Sequence, residues 1–168
     1  PLNIKICIIG PNGRCGSGAK ALLKLLNLPF DEIGSTDSKG NLTDYDIVIN
    51  CICLQGDNGI WYDNNTIFKK PTVIVDVSCD YTSPFNPIKI YSNKTTWANP
   101  VFNYNELVDI IAIDNLPSLL PVESSNEFSA KLTELILQFE LDPNNYWAEN
   151  LNMFKNNPNN KKESSLRN

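Results

Sequence analysis

The chain has 168 residues, with 14 Lys and Arg against 19 Asp and Glu, a net charge of −5, five cysteines and no histidine. That length suffices for one domain with a proper core. The acidic balance argues against nucleic acid or an acidic membrane surface as partner, and no apolar run reaches bilayer length.

The opening residues are not expected to be a signal peptide. It starts on Pro1, close to the first expected strand, and is read as a fragment of a longer polypeptide cut near a domain edge. Ile4 to Ile9 is almost continuously apolar, as expected of a central parallel strand covered on both faces. Arg14 to Leu28 carries Ala19, Leu22, Leu23 and Leu26 at helical spacing and is closed by Pro29. Glu32 to Thr36 is a weaker strand running into Asp37, followed by a polar turn over Ser38 to Asp44. "DIVINCICL", Asp46 to Leu54, is a strong strand. Asn64 to Lys69 predicts a short helix, and "TVIVDVS", Thr72 to Ser78, the next strong strand. A Pro-rich loop runs from Ser83 through Pro87, a short strand is expected at Val101 to Tyr104, and the last apolar strand at Ile110 to Ile113. A helical pattern resumes at Ser124, with Ser124 or Ser125 as cap, Glu127 near the third position, and Phe128, Leu132, Leu135 and Ile136 on one face. A second helix is predicted over Tyr146 to Phe154, and residues 156–168 are polar and low in complexity, hence expected to be disordered. Strands alternating with helices give an α/β class, a parallel sheet with helices on both faces and right-handed crossovers. The Asp37–Asp46 link is short for a helical crossover, so one strand–helix unit is abbreviated.

Ile8 to Ala19 reads "IIGPNGRCGSGA": an apolar strand stops at Gly10, and Gly13, Gly16 and Gly18 follow into a helix. Such a turn lets the backbone approach a pyrophosphate at the helix N-terminus. The spacing G-x-x-G-x-x-G-x-G departs from the standard fingerprint, and by itself the turn could serve packing alone. Asp37 lies about 20 residues on, at the end of the second strand, where an acid accepts hydrogen bonds from the adenosine ribose and disfavours a 2′-phosphate. NAD is therefore the expected cofactor. Arg14 is either a solvated helix-start residue or a cation lying over the pyrophosphate or adenine. Asp76 and Asp80 are read as turn formers around Ser78. Asp114 and Asn115 either make a turn before Pro117 or contact the cofactor from the carboxyl end of a strand. The odd number of cysteines fits a reducing compartment. Cys51-Ile52-Cys53 lacks the two-residue spacer of a zinc or thioredoxin pair, so no metal site is expected. Cys15 and Cys51 occupy adjoining positions of a dinucleotide fold. Either they form a disulfide that constricts the pyrophosphate site or they remain two free buried thiols.

"GRCGSGA", "VINCICL", "VIVDVSCDYTSPFNPIKIY" and "IDNLPSLLP" together resemble the C-terminal half of fungal saccharopine dehydrogenases, NAD-dependent and L-lysine-forming, from about Ile4 to about Ser129. Alanine dehydrogenases share a similar "VDN-x-P" element and are the nearest competitor. The resemblance implies a Rossmann-like NAD-binding domain over residues 1–121, C-terminal helices over 122–155 that return toward an N-terminal domain, and the tail over 156–168. It implies oxidation of saccharopine by NAD at its secondary amine and hydrolysis to L-lysine and 2-oxoglutarate, the last step of lysine biosynthesis by the α-aminoadipate route. Gly13 and Arg14 would meet the pyrophosphate side, Asp37 the ribose, and Val77 the cofactor groove. Ile113, Asp114, Asn115 and Leu116 would approach the nicotinamide. Three residues depart from the family: Cys53 stands for a tyrosine, Asn115 for a histidine and Val122 for an arginine. The family's acid–base lysine and histidine belong to the N-terminal domain, so this chain is expected to have no turnover alone. A non-catalytic nucleotide-binding module is the third alternative. A monomer is expected, in the cytoplasm; the family can be peroxisomal, but "LRN" is not an S-K-L type ending.

Overall fold

An unbroken apolar run has to be covered on both sides, and β1 (Ile6–Ile9) is buried at all four positions. The computed structural model describes residues 4–35, 37, 40–53, 56, 57, 59–139 and 146–157. Beyond β1 the chain forms α1 (Arg14–Leu25), β2 (Asp31–Ile33), β3 (Ile47–Asn50), β4 (Thr72–Asp76), β5 (Phe102–Asn103), β6 (Val108–Ile111), α2 (Pro121–Leu137) and α3 (Tyr146–Asn156). The strands make one sheet in the order β2-β1-β3-β4-β6-β5, parallel except for the β5–β6 pair. This is the Rossmann-like α/β class the sequence implies. β1 lies between β2 and β3, so the strand order reverses there. The register holds Ile9 level with Ile33 and Asn50, and Asn50 level with Asp76. Four strands therefore end together at one carboxyl edge, where open parallel sheets carry their ligands.

The two faces of the sheet are covered differently. Ile6 and Ile8 point to one face and pack with Leu23 of α1, Ala19, Leu28 and Phe30. Cys7, Ile9, Val48 and Ile74 belong to the other cluster, with Tyr62, Phe68, Ile88, Ile90 and Tyr91 from the long segment before and after β4. A 3₁₀ turn at Leu42–Asp44 takes the place of a helix between β2 and β3, as the short link requires.

The sequence misplaces several boundaries. Asn64 to Lys69 is not a helix. The Asp63 carboxylate accepts from Asn65 N and Thr66 Oγ1, at 2.9 and 3.1 Å, and this side-chain turn competes with helical bonding. α1 stops at Leu25, before Asn27 at φ 54° and well before Pro29. β3 ends at Asn50; Leu54, the expected end, lies outside the described residues, as does Thr36 of the second predicted strand. α2 begins at Pro121, not Ser124. Proline suits a first helical position, where an N–H would lack a partner. Ser124 is thus already inside the helix, its hydroxyl donating to the Pro117 carbonyl at 3.1 Å. α3 runs on to Asn156, into the expected tail; residues 158–168 lie outside the described ones.

The chain divides into two compact units, Pro1–Leu116 and Pro117–Asn168. In the second, the Trp147 ring packs edge-on against Phe139 at 5.3 Å, and its N–H donates to the Leu135 carbonyl.

Candidate functional site

The site begins where β1 ends. Gly10 has φ +76°, and its amide donates to the Ile33 carbonyl at 3.0 Å. A Cβ there would lie 3.0 Å from the Cys51 carbonyl carbon and oxygen. At Gly16 a Cβ would overlap the Gly10 carbonyl and the Pro11 backbone, whereas one at Gly18 would meet nothing. Glycine is thus required at two positions by close backbone approach. Gly13 caps α1 with no side-chain hydrogen bond, and the first turn holds no acidic residue. The opening amides of a twelve-residue helix are left to bond an anion, with the helix dipole in their favour.

Beside this turn runs a groove of about 660 Å³. Its walls come from the ends of four strands: Ile9, Gly10, Gly13, Arg14 and Cys15 after β1; Ile33, Gly34 and Ser35 from β2; Cys51, Ile52 and Cys53 after β3; and Ser78 and Asp80 after β4. Asp57 and Trp61 complete the lining. Of the residues expected from sequence to meet the cofactor, Gly13, Arg14 and Cys53 come together here. Asp37 is not in the lining: its Oδ2 accepts from the Gly34 amide at 2.7 Å, closing the turn after β2. Val77 follows β4, its amide donating to the Asn50 carbonyl at 2.9 Å, but its side chain is not in the lining. Ile113, Asp114, Asn115 and Leu116 lie apart, past the end of β6. Ile113 is buried and bridges to Thr95, Asp114 pairs with Lys94 at 3.1 Å, and Asn115 has φ 61°. The two regions share an edge through Cys79, whose Sγ donates to the Ala112 carbonyl at 3.2 Å.

Cys15, Cys51, Ser78, Asp80 and Trp61 line the groove although the sequence did not mark them as contacts. For four of them the signal was available, since each follows a strand whose carboxyl end reaches this edge. Asp80, read as a turn former, does form a turn with its backbone, its carbonyl accepting from Ser83 N at 2.9 Å. Its side chain also reaches the groove. Cys15 and Cys51 are both free thiols, but not two buried ones: Cys15 is exposed and Cys51 half-buried, and that partial burial pushes Cys51 up to about 11.

Beneath the groove lies a buried polar cluster. Asp76 is 1% exposed. Its carboxylate accepts from Tyr91 Oη at 2.5 Å, Asn50 Nδ2 at 2.9 Å and Cys79 N at 3.3 Å. Burial pushes the Asp76 carboxyl upward, and these hydrogen bonds oppose that rise. Asn50 Oδ1 accepts from Ile52 N at 3.3 Å, and Ser78 Oγ donates to the Ile52 carbonyl at 2.5 Å. Among the described residues no cluster of three or more His, Cys, Asp or Glu is placed to hold a metal ion, and no helix is long and apolar enough to cross a membrane.

An uncapped helix start, a strand-order reversal and a groove between the ends of β1 and β3 form a mononucleotide-binding arrangement, and comparison with known proteins agrees. Residues 34–158 match the family described as "Alanine dehydrogenase/PNT, C-terminal domain". The chain is similar to proteins named saccharopine dehydrogenase [NAD(+), L-lysine-forming]. In Schizosaccharomyces pombe the identity is 38% over 79% of this chain and 40% of the relative. In Candida albicans it is 36% over 89% and 44%, and in Candida glabrata 40% over 76% and 38%. The chain thus spans about two fifths of the length of the relatives it matches. With the match running from just after the second strand through the last helix, the chain belongs to the alanine dehydrogenase/PNT C-terminal domain family.

Proposed function

We propose that this chain is the NAD-binding part of an oxidoreductase that interconverts saccharopine, NAD+ and water with L-lysine, 2-oxoglutarate and NADH. One observation supports it above others: the groove of about 660 Å³ opens beside helix amides that carry no side-chain cap. NAD, when bound, would accept the hydride. The protein's part is to bind and orient it. The α1 amides from Gly13 onward, with Arg14, would hold the pyrophosphate. Asp37, one oxygen of which already braces the turn after β2, would accept from the adenosine ribose. Cys53 would flank the cofactor, Val77 would stand beside its groove, and residues 113–116 would approach its nicotinamide end. α2 and α3 would return toward a further domain that supplies the acid–base groups. The chain would act as a monomer, without nucleic acid or membrane, in the cytoplasm.

Titration calorimetry tests this. NAD is expected to bind more tightly than NADP. Asp37→Ala should weaken NAD about tenfold, the worth of one charge-assisted hydrogen bond. The chain alone should show no steady-state turnover with saccharopine and NAD. Absence of NAD binding overturns the proposal, and a clean rate overturns the division of labour.

A further inference from the structure

Asp76 does not line the groove, yet it sits at the root of a chain of hydrogen bonds that ends there. An ionised carboxylate only accepts. Facing Asn50, it fixes that side chain with the NH2 toward Asp76, at 2.9 Å, so the amide oxygen must face Ile52 N. Ser78 Oγ holds the Ile52 carbonyl from the other side. Both polar groups of Ile52 are thereby clamped. The Cys51–Ile52 peptide is also what Gly10 packs against: a Cβ at Gly10 would lie 3.0 Å from the Cys51 carbonyl and 3.1 Å from Ile52 N. The position of the glycine turn thus depends on the clamp.

We infer that Asp76 is a positioning residue: through Asn50 and Ile52 it sets the Cys51–Ile52 peptide against Gly10, and so sets how tightly the groove holds a dinucleotide it never touches. The inference rests on the nucleotide-binding reading above.

Asp76→Leu keeps about the same bulk and removes both acceptor oxygens, so Asn50 Nδ2 and Cys79 N lose one partner and Tyr91 Oη the other. Asn50 keeps only the long contact from its NH2 to Ser78 Oγ, 3.4 Å, and loses its reason to hold its oxygen on Ile52. Three measurements on the full chain separate positioning from mere stability: the NAD Kd, the melting temperature, and the labelling rate of Cys51 by a neutral maleimide, mapped by peptide mass. Asp76→Leu is expected to raise Kd about tenfold and to speed Cys51 labelling several-fold. Ile110→Val, a buried change in β6 away from the groove, should lower Tm and move neither of the others. If Asp76→Leu lowers Tm alone, the inference is overturned. If it does not fold, Asn50→Ala carries the test. That variant removes the oxygen that accepts from Ile52 N, and should weaken NAD about threefold and quicken labelling; no change in either overturns the inference. If the unmodified chain binds no NAD, the nucleotide-binding reading fails and takes the binding half with it. Cys51 labelling then decides the clamp alone: a faster rate in Asp76→Leu sustains it, and an unchanged rate overturns it.

Discussion

The sheet and the C-terminal helices treat apolar side chains in opposite ways. Ile8, Ile74, Ile88 and Ile110 are fully buried in the first unit. α2 and α3 bury no residue, and Phe128, Leu137, Met153 and Phe154 are each more than half exposed. Both regions carry the hydrophobic period of their element. Period alone therefore fixes which side chains share a face, but not whether anything covers that face. α1 lies between the two cases: of its four periodic apolar residues Leu23 is buried, while Leu22 and Leu26 stay more than half exposed.

The sharpest test of that contrast is a matched pair of truncations. Ile74→Ala should cost about 2–5 kcal/mol, since the emptied site in β4 is closed by packing on every side. Leu151→Ala in α3, half exposed already, should cost within about 0.5 kcal/mol. Urea melts followed by far-UV dichroism read both, and equal losses would break the comparison.

Two glycines carry the contrast into α1. Gly16→Ala places a methyl into the Gly10 carbonyl and Pro11, so the turn must move. We expect about 1–3 kcal/mol of lost stability and loss of NAD binding. Gly18→Ala meets no atom within 4 Å and should stabilise the helix by about 0.5–1 kcal/mol with the NAD Kd unchanged. Thermal melts and calorimetry on the two variants are enough.

The same distinction explains what could be read from the sequence. Buried strands were legible because Ile6–Ile9 and Val73–Val75 are short apolar runs bounded by turn residues, the pattern of a covered strand. The glycine turn was legible because strand, glycines, helix and Asp37 occur in order. Asn64 to Lys69 was misread because the decisive interaction is one Asp63 side chain bonding two and three residues ahead, which hydrophobic spacing does not register. The start of α2 was misread because two serines resemble a cap, although Pro121 is equally good evidence for a first turn. The Asp76 cluster was hidden for a different reason. Asn50, Asp76 and Tyr91 are far apart in sequence; the β3–β4 register sets Asn50 level with Asp76, and the segment after β4 brings Tyr91 back onto it.

The smallest effect expected is electrostatic, and it again separates the two regions. Asp46 accepts from the Lys5 backbone N–H at 2.7 Å and pairs with Lys70 at 3.0 Å. The Lys5 bond foremost, then Lys70, hold its carboxyl below the ordinary 3.8. In α2, Glu127 is held low by Lys131 alone, both side chains being about 70% exposed. A depressed folded-state pKa contributes stability that is present above the unfolded value and is lost as pH falls through the folded one. Asp46→Asn should therefore lower Tm at pH 6, by the equivalent of about 0.5 kcal/mol after solvent screening. The gap to the unmodified chain should close as pH falls below 3.8. Glu127→Gln should show little gap at any pH, because a pair of solvated side chains without a backbone anchor loses its attraction to water and salt. A gap for Glu127 as large as that for Asp46, or an Asp46 gap that widens in acid, would show that backbone anchoring is not what distinguishes them.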